Sequence, residues 1–167
     1  MRGNTICGIV HKYGDNINTD IISPAQYMEH SYEIIAQHVM EGIDSEFSKN
    51  VKQGDIVVAG KNFGSGSSRE TAPIALLHVG IGAIIAEFFA RIFYRNAINI
   101  GLPVIECKYA SQIADKDKLE VNLLNGIIRN ITQGEEYSFI PYPSHILEII
   151  RAGGLVQNLE NNFLRKN

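Results

Sequence analysis

Asn62-Phe63-Gly64-Ser65-Gly66-Ser67-Ser68-Arg69-Glu70 sets two adjacent hydroxyls and a guanidinium on a glycine-rich stretch. It lies between a predicted strand (Asp55 to Gly60) and a predicted helix carrying Ile74, Leu77 and His78. Glycine lets a backbone approach a ligand closely. A helix start turns unpaired N–H groups and a partial positive charge toward whatever sits there. A serine hydroxyl in that field can act as a base, because amides stabilise its alkoxide. Arg69 offers a planar fork for a carboxylate. The string is no Walker A loop, since no Gly-Lys-Ser/Thr ends it, and it fails G-x-G-x-x-G at its last position. It is no nucleophile elbow either, because G-x-S-x-G is absent. By itself, a turn with Ser67 or Ser68 as N-cap accounts for the same residues.

A second polar stretch, Asn18-Thr19-Asp20-Ile21-Ile22-Ser23-Pro24, has no helical period and reads as an irregular segment with side chains bonded to their own backbone. Tyr27, Met28, Glu29 and His30 follow it. His11, His38, His78 and His145 show no metal-ligand spacing, so no zinc or other metal site is expected. His78 is expected on the apolar face of its helix. Asp115 to Glu120 reads as a solvated turn.

The elements that must hold these residues follow from the hydrophobic pattern. Strands are expected at Ile6 to Tyr13, Asp55 to Gly60, Ile81 to Ala86 and Leu102 to Cys107. Leu119 to Leu124 and Ile127 to Ile131 flank Asn125-Gly126, a hairpin signal. Helices are expected after Ser31, with Gly42 as the left-handed stop; after the glycine-serine loop; over Ala90 to Ile100; and from Pro143-Ser144 to Gly153-Gly154. The tail NLENNFLRKN reads as polar, loose or partner-bound. Mixed strands and helices with a late hairpin imply an α/β fold with a mixed sheet.

The 167 residues fit a single domain. Lys plus Arg is 15 and Asp plus Glu is 18, giving a net charge of −3 with no basic excess, which argues against nucleic-acid binding. The start MRGNTICGIV lacks a secretory h-region, and the apolar run near Ile81 to Ala90 is too short to span a membrane. A cytoplasmic protein with reduced thiols is expected. Two cysteines, Cys7 and Cys107, cannot alone hold an iron–sulfur cluster.

Taken in order, GDNINTDIISPAQY, KNFGSGSSRETAP, FARIFYRNAINIGLPVIE, LEVNLLNGIIRN and HILEIIRAGGL resemble the small subunits of 3-isopropylmalate dehydratases, in the aconitase superfamily. The resemblance covers nearly the whole chain. It implies a three-layer β/β/α swivel domain with a mixed sheet over residues 1–167. It implies docking on a separate large subunit that carries a [4Fe-4S] cluster, with no cofactor on this chain. The implied reaction interconverts 2-isopropylmalate and 3-isopropylmalate by dehydration and rehydration, in leucine biosynthesis. One iron acts as Lewis acid on the departing hydroxyl. By the same resemblance Ser67 is the catalytic base and Asp20 orients the site. Ser68, Arg69, Thr19 and Ser23 bind the 2-hydroxy dicarboxylate. Tyr27, Met28, Glu29 and His30 form the substrate-selecting loop.

Three positions depart from the family. Ser65 stands where many relatives carry cysteine, and Thr71 replaces a histidine after the S-S-R-E string. Glu29 occupies a position where isopropylmalate members tend to carry arginine and homoaconitases an apolar residue. A carboxylate there leaves open a related dehydratase for citramalate, 2,3-dimethylmalate or homoaconitate. A non-catalytic swivel module that binds an anion or a partner is the other alternative.

Overall fold

The apolar runs become seven strands in the computed structural model, which describes residues 3–164. They are β1 (Thr5–Lys12), β2 (Ile56–Ala59), β3 (Ala83–Ala86), β4 (Val104–Glu106), β5 (Lys118–Asn122), β6 (Ile127–Asn130) and β7 (Glu135–Ser138). Their order across the sheet is β4-β3-β2-β1-β5-β6-β7. β1 divides the sheet. Its Val10–Lys12 part runs parallel to β2, and its Thr5–Ile9 part runs antiparallel to β5. One strand that passes its pairing from one neighbour to the other curls the sheet into two halves. With the helices these give the expected α/β, β/β/α arrangement.

In the parallel half β2 (IVVA) and β3 (AIIA) are buried at every residue, as a parallel sheet covered on both faces requires. In the antiparallel half β5 buries only alternate residues, Leu119 and Val121. The helices are α1 (Thr19–Ile22), α2 (Tyr32–Gln37), α3 (Phe47–Asn50), α4 (Thr71–Val79), α5 (Arg91–Asn99), α6 (Ser144–Ala152) and α7 (Leu155–Leu164). α4 and α5 are the crossovers from β2 to β3 and from β3 to β4. The buried apolar side chains form one contiguous cluster.

Five local expectations change. The hairpin turn is longer than two residues: Asn122 pairs with Ile127, so residues 123–126 form the loop. Asn122 Oδ1 caps that loop by accepting from Leu124 N and Asn125 N. α2 stops at Gln37, before Gly42, and buried Met40 takes the left-handed backbone (φ 63°) while its N–H donates to Ile22 O. His78 is exposed, because α4 turns its small residues Ala72 and Ala75, with Pro73 and Leu76, inward. The stretch from Asn18 is not irregular, since α1 forms one turn capped by Asn18 Oδ1 accepting from Ile21 N. The tail is helical through α7, packed on α6; Met1, Arg2 and Arg165–Asn167 lie outside the described residues.

Candidate active site

Both polar stretches leave the carboxyl ends of neighbouring parallel strands, β1 and β2. They therefore emerge side by side at one edge of the sheet, where open α/β sheets place their ligands. Backbone bonds clasp them. Asn16 N donates to Lys61 O (2.8 Å), Gly64 N to Ile17 O (2.7 Å) and Thr19 N to Ser65 O (2.8 Å). Asn16 and Asn62 both adopt left-handed backbone, φ 59° and 61°, a conformation asparagine tolerates well. Asn62 Nδ2 donates to Asn16 Oδ1 at 3.0 Å. Below the clasp, Phe63, Phe89 and Phe93 pack together in the core. Gly64, φ 77°, lies directly on the Phe93 ring, where a Cβ would fall 2.2 Å from Phe93 Cγ.

Arg69 joins the two stretches through its side chain. Its Nη1 lies 2.5 Å from Asp20 Oδ1 and donates to Ser23 O at 3.1 Å. The Arg69 side chain is largely buried (15% exposed) and that of Asp20 open (61%). Ser23 is fully buried, and its hydroxyl donates to Thr71 Oγ1 at 3.3 Å. Thr71, the departure from the family's histidine, thus fastens α1 to α4. Thr19 is 1% exposed, and its Oγ1 has no hydrogen-bond partner among the described residues. That oxygen lies under Gly66, 3.2 Å from where a Cβ would sit. Ser65 serves the clasp with its carbonyl, so the exchange of cysteine for serine leaves that contact intact.

Ser67 and Ser68 are exposed, and neither hydroxyl has a partner among the described residues. Neither caps α4, whose N-cap position is Glu70, without a side-chain bond. The helix start thus lies further along the chain than the serines. The field at Ser67 comes from the loop itself: the N–H groups of Ser65, Gly66, Ser67 and Ser68 have no hydrogen-bond partner among the described residues. Unpaired amides in a turn with a left-handed residue (Gly66, φ 99°) are free to donate to a negative charge at the loop.

The predicted selecting loop is a turn of 3₁₀ helix over Ala25–Tyr27 with Met28, Glu29 and His30 exposed beyond it. Tyr27 stacks on His38 (ring centroids 3.7 Å apart), and His38 Nδ1 lies 2.6 Å from Glu41 Oε2. Glu29 has no ion-pair partner among the described residues, so none of them neutralises it.

Among the described residues no three His, Cys, Asp or Glu converge in a group able to hold a metal ion. Cys7 and Cys107 are free thiols, the second buried, so this chain does not fit an iron–sulfur cluster of its own. No described helix is long and apolar enough to cross a membrane. His11 is buried against Asp55, Nε2 to Oδ2 2.9 Å. Burial pushes the Asp55 carboxyl up, but His11 and the N–H groups of Lys52 and Ile9 outweigh it and hold it below the usual range. This pair ties β1 to the entry of β2 beneath the clasp.

Sequence reading missed two contributors, the Asn16–Asn62 link and the aromatic floor, and left the role of Thr71 open. Only the asparagines left a signal, each beside a turn residue in G-D-N and K-N-F-G.

A glycine-serine loop and an Asp–Arg pair at the carboxyl edge of a curled mixed sheet define a class. The chain belongs to the aconitase C-terminal domain family, which matches residues 10–110. Within that class it is similar to the 3-isopropylmalate dehydratase small subunit of Brachyspira hyodysenteriae, 53% identical over 93% of this chain and 96% of that protein. It is 53% identical to the methanogen homoaconitase small subunit of Methanothermobacter thermautotrophicus, over 96% of this chain and 91% of that one. The crystal structure of 3-isopropylmalate dehydratase from Methanocaldococcus jannaschii superimposes with a TM-score of 0.91 at 44% identity, covering 97% of both chains.

Proposed function

We propose that this chain is the small subunit of a cytoplasmic hydro-lyase that interconverts 2-isopropylmalate and 3-isopropylmalate in leucine biosynthesis. It acts only in complex with an iron–sulfur large subunit. The observation that carries this reading is the clasp, which brings Ser67, Ser68, Arg69 and Asp20 to one edge around unpaired amides, on a chain of the aconitase family.

Arg69 spends one nitrogen on Asp20 and Ser23 and keeps its other donors for a substrate carboxylate. Ser68 adds a hydroxyl to the same carboxylate. Ser67 Oγ takes the proton from the carbon next to the hydroxyl-bearing one, and returns a proton when the unsaturated diacid is rehydrated. Its alkoxide is stabilised by the N–H groups of residues 65–68, a contribution that grows once docking excludes water. Thr19 and Ser23 are buried and hold the loop from below, so their part in substrate binding runs through Ser65, Gly66 and Arg69. The Lewis acidity that loosens the departing hydroxyl is the contribution of the cluster, which the family places on the large subunit.

A second reading, a homoaconitase-type small subunit, is favoured by the methanogen relative. One assay separates them. The chain and its anaerobically reconstituted large subunit are offered 3-isopropylmalate, citramalate, 2,3-dimethylmalate and homocitrate in parallel, with formation of the unsaturated diacid followed by absorbance. Preference for 3-isopropylmalate is expected. Ser67→Ala is expected to lower turnover by about 100-fold or more with assembly intact. Preference for homocitrate moves the assignment to the second reading. No turnover on any diacid in a formed complex with an intact cluster refutes the hydro-lyase reading.

A further inference from the structure

A groove of about 460 Å³ opens between the connection after β3 and the segment after β7. Phe88, Phe89 and Tyr94 form one wall, and Phe139, Ile140 and Pro141 form the other. Ile140 is 91% exposed and Phe88 50%. Clustered exposed apolar side chains of this kind mark interaction sites. Pro141 and Pro143 stiffen the backbone that presents Ile140.

The groove shares its frame with the serine loop. Phe63 N donates to Phe88 O (3.1 Å), and Ala90 N donates to Phe63 O (2.9 Å). The strands set the distance. Ala59, Ala86 and Glu106 are register partners across β2, β3 and β4. At about 4.8 Å per strand, Glu106 at the groove lies about 10 Å along the sheet edge from the residue that launches the serine loop. A stable interface buries about 800 Å² per partner, a patch about 30 Å across. A partner patch of that width laid over the edge where the serine loop leaves β2 is wide enough to reach the groove as well. The apolar stripe of α7 is placed differently. Gly154, the residue before it, packs on Asn99 and Ile100, which lead into the opposite end of β4.

We propose that the groove between Phe88 and Ile140 seats an apolar segment of the cluster-bearing large subunit, on a docking face continuous with Ser67. This rests on the hydro-lyase reading above. Arg91 and Glu106 line the same groove and supply charges that orient the docked segment.

The test is titration of the full chain against the anaerobically reconstituted large subunit, followed by fluorescence anisotropy, beside turnover at saturating large subunit. Ile140→Asp is expected to weaken Kd about tenfold or more, and Phe88→Ala to weaken it in the same direction. Turnover of the saturated Ile140→Asp complex stays within about twofold of the wild type, because the substitution lies outside the catalytic machinery. Val156→Asp, at an exposed position on α7, leaves Kd unchanged. Circular dichroism melting of Ile140→Asp matches the wild type, since its side chain is already in solvent. An unchanged Kd for Ile140→Asp overturns the proposal, and so does an equal loss in Val156→Asp. A wild-type complex that forms but dehydrates no diacid refutes the hydro-lyase reading separately, and the Kd comparison still decides the groove.

Discussion

Replacing Gly64 by alanine perturbs the glycine-serine loop from beneath without touching Ser67, Ser68 or Arg69. Gly64 has φ 77°, and an added Cβ falls 2.2 Å from Phe93 Cγ and 2.4 Å from Phe93 Cβ. Ordinary carbon contacts lie near 3.5 Å, so something must move by about 1 Å. Phe93 is buried, edge-on to Phe63 at 5.3 Å and parallel to Phe89 at 6.3 Å, and has nowhere to go. The loop must therefore lift. Left-handed backbone costs alanine about 1–2 kcal/mol, and overpacking costs about 1–3 kcal/mol. Together these come to about 3 kcal/mol, or a Tm lower by about 10 °C for a chain of this size. Lifting Gly64 loosens its bond to Ile17 O and displaces Ser67 a few residues on. A displacement of about 1 Å at a reacting group costs about 100-fold in rate. Thermal unfolding of the chain and turnover at saturating large subunit read the two effects. Gly64→Ala with a Tm within about 2 °C and turnover within about twofold of the wild type would refute the claim that Phe93 sets the height of the loop.

Two further outcomes follow from one buried and one exposed carboxylate. Asp55→Ala leaves His11 and two backbone N–H groups without their acceptor, and should cost about 3–5 kcal/mol in urea unfolding. Because the folded Asp55 carboxyl titrates below its unfolded value of about 3.9, its contribution is full above that pH. The contribution is lost as pH falls through the lower folded value, so the acid limb of the stability profile should flatten in Asp55→Asn. Asp20→Asn should change stability by no more than about 1 kcal/mol, since the carboxylate is open to solvent. It should raise KM through a mis-aimed Arg69, and an unchanged KM would detach Asp20 from carboxylate binding.

Much of this protein was legible from local pattern. IVVA and AIIA can bury both faces only in a covered parallel sheet, so β2 and β3 were readable as strands. Gly153 closes α6 in left-handed backbone, the conformation that favours glycine at a helix end. The serines and arginine of the glycine-serine loop were visible because glycine spacing and residue chemistry are local properties. The misplaced features depend on partners distant in sequence. α4 turns alanines inward because the sheet and α2 decide which face is covered, and a helix apolar on most sides does not encode that choice. Met40 takes the left-handed turn in place of Gly42 because burial against α1 offsets its backbone cost. The clasp was invisible for the same reason. Asn16 meets Asn62, and Arg69 meets Ser23, across 46 residues of chain. Residue types supplied the serines, the guanidinium and the carboxylate. Only the parallel pairing of β1 with β2 brought them to one edge, because the hydrogen bonds that hold them there join strands that sequence order keeps apart.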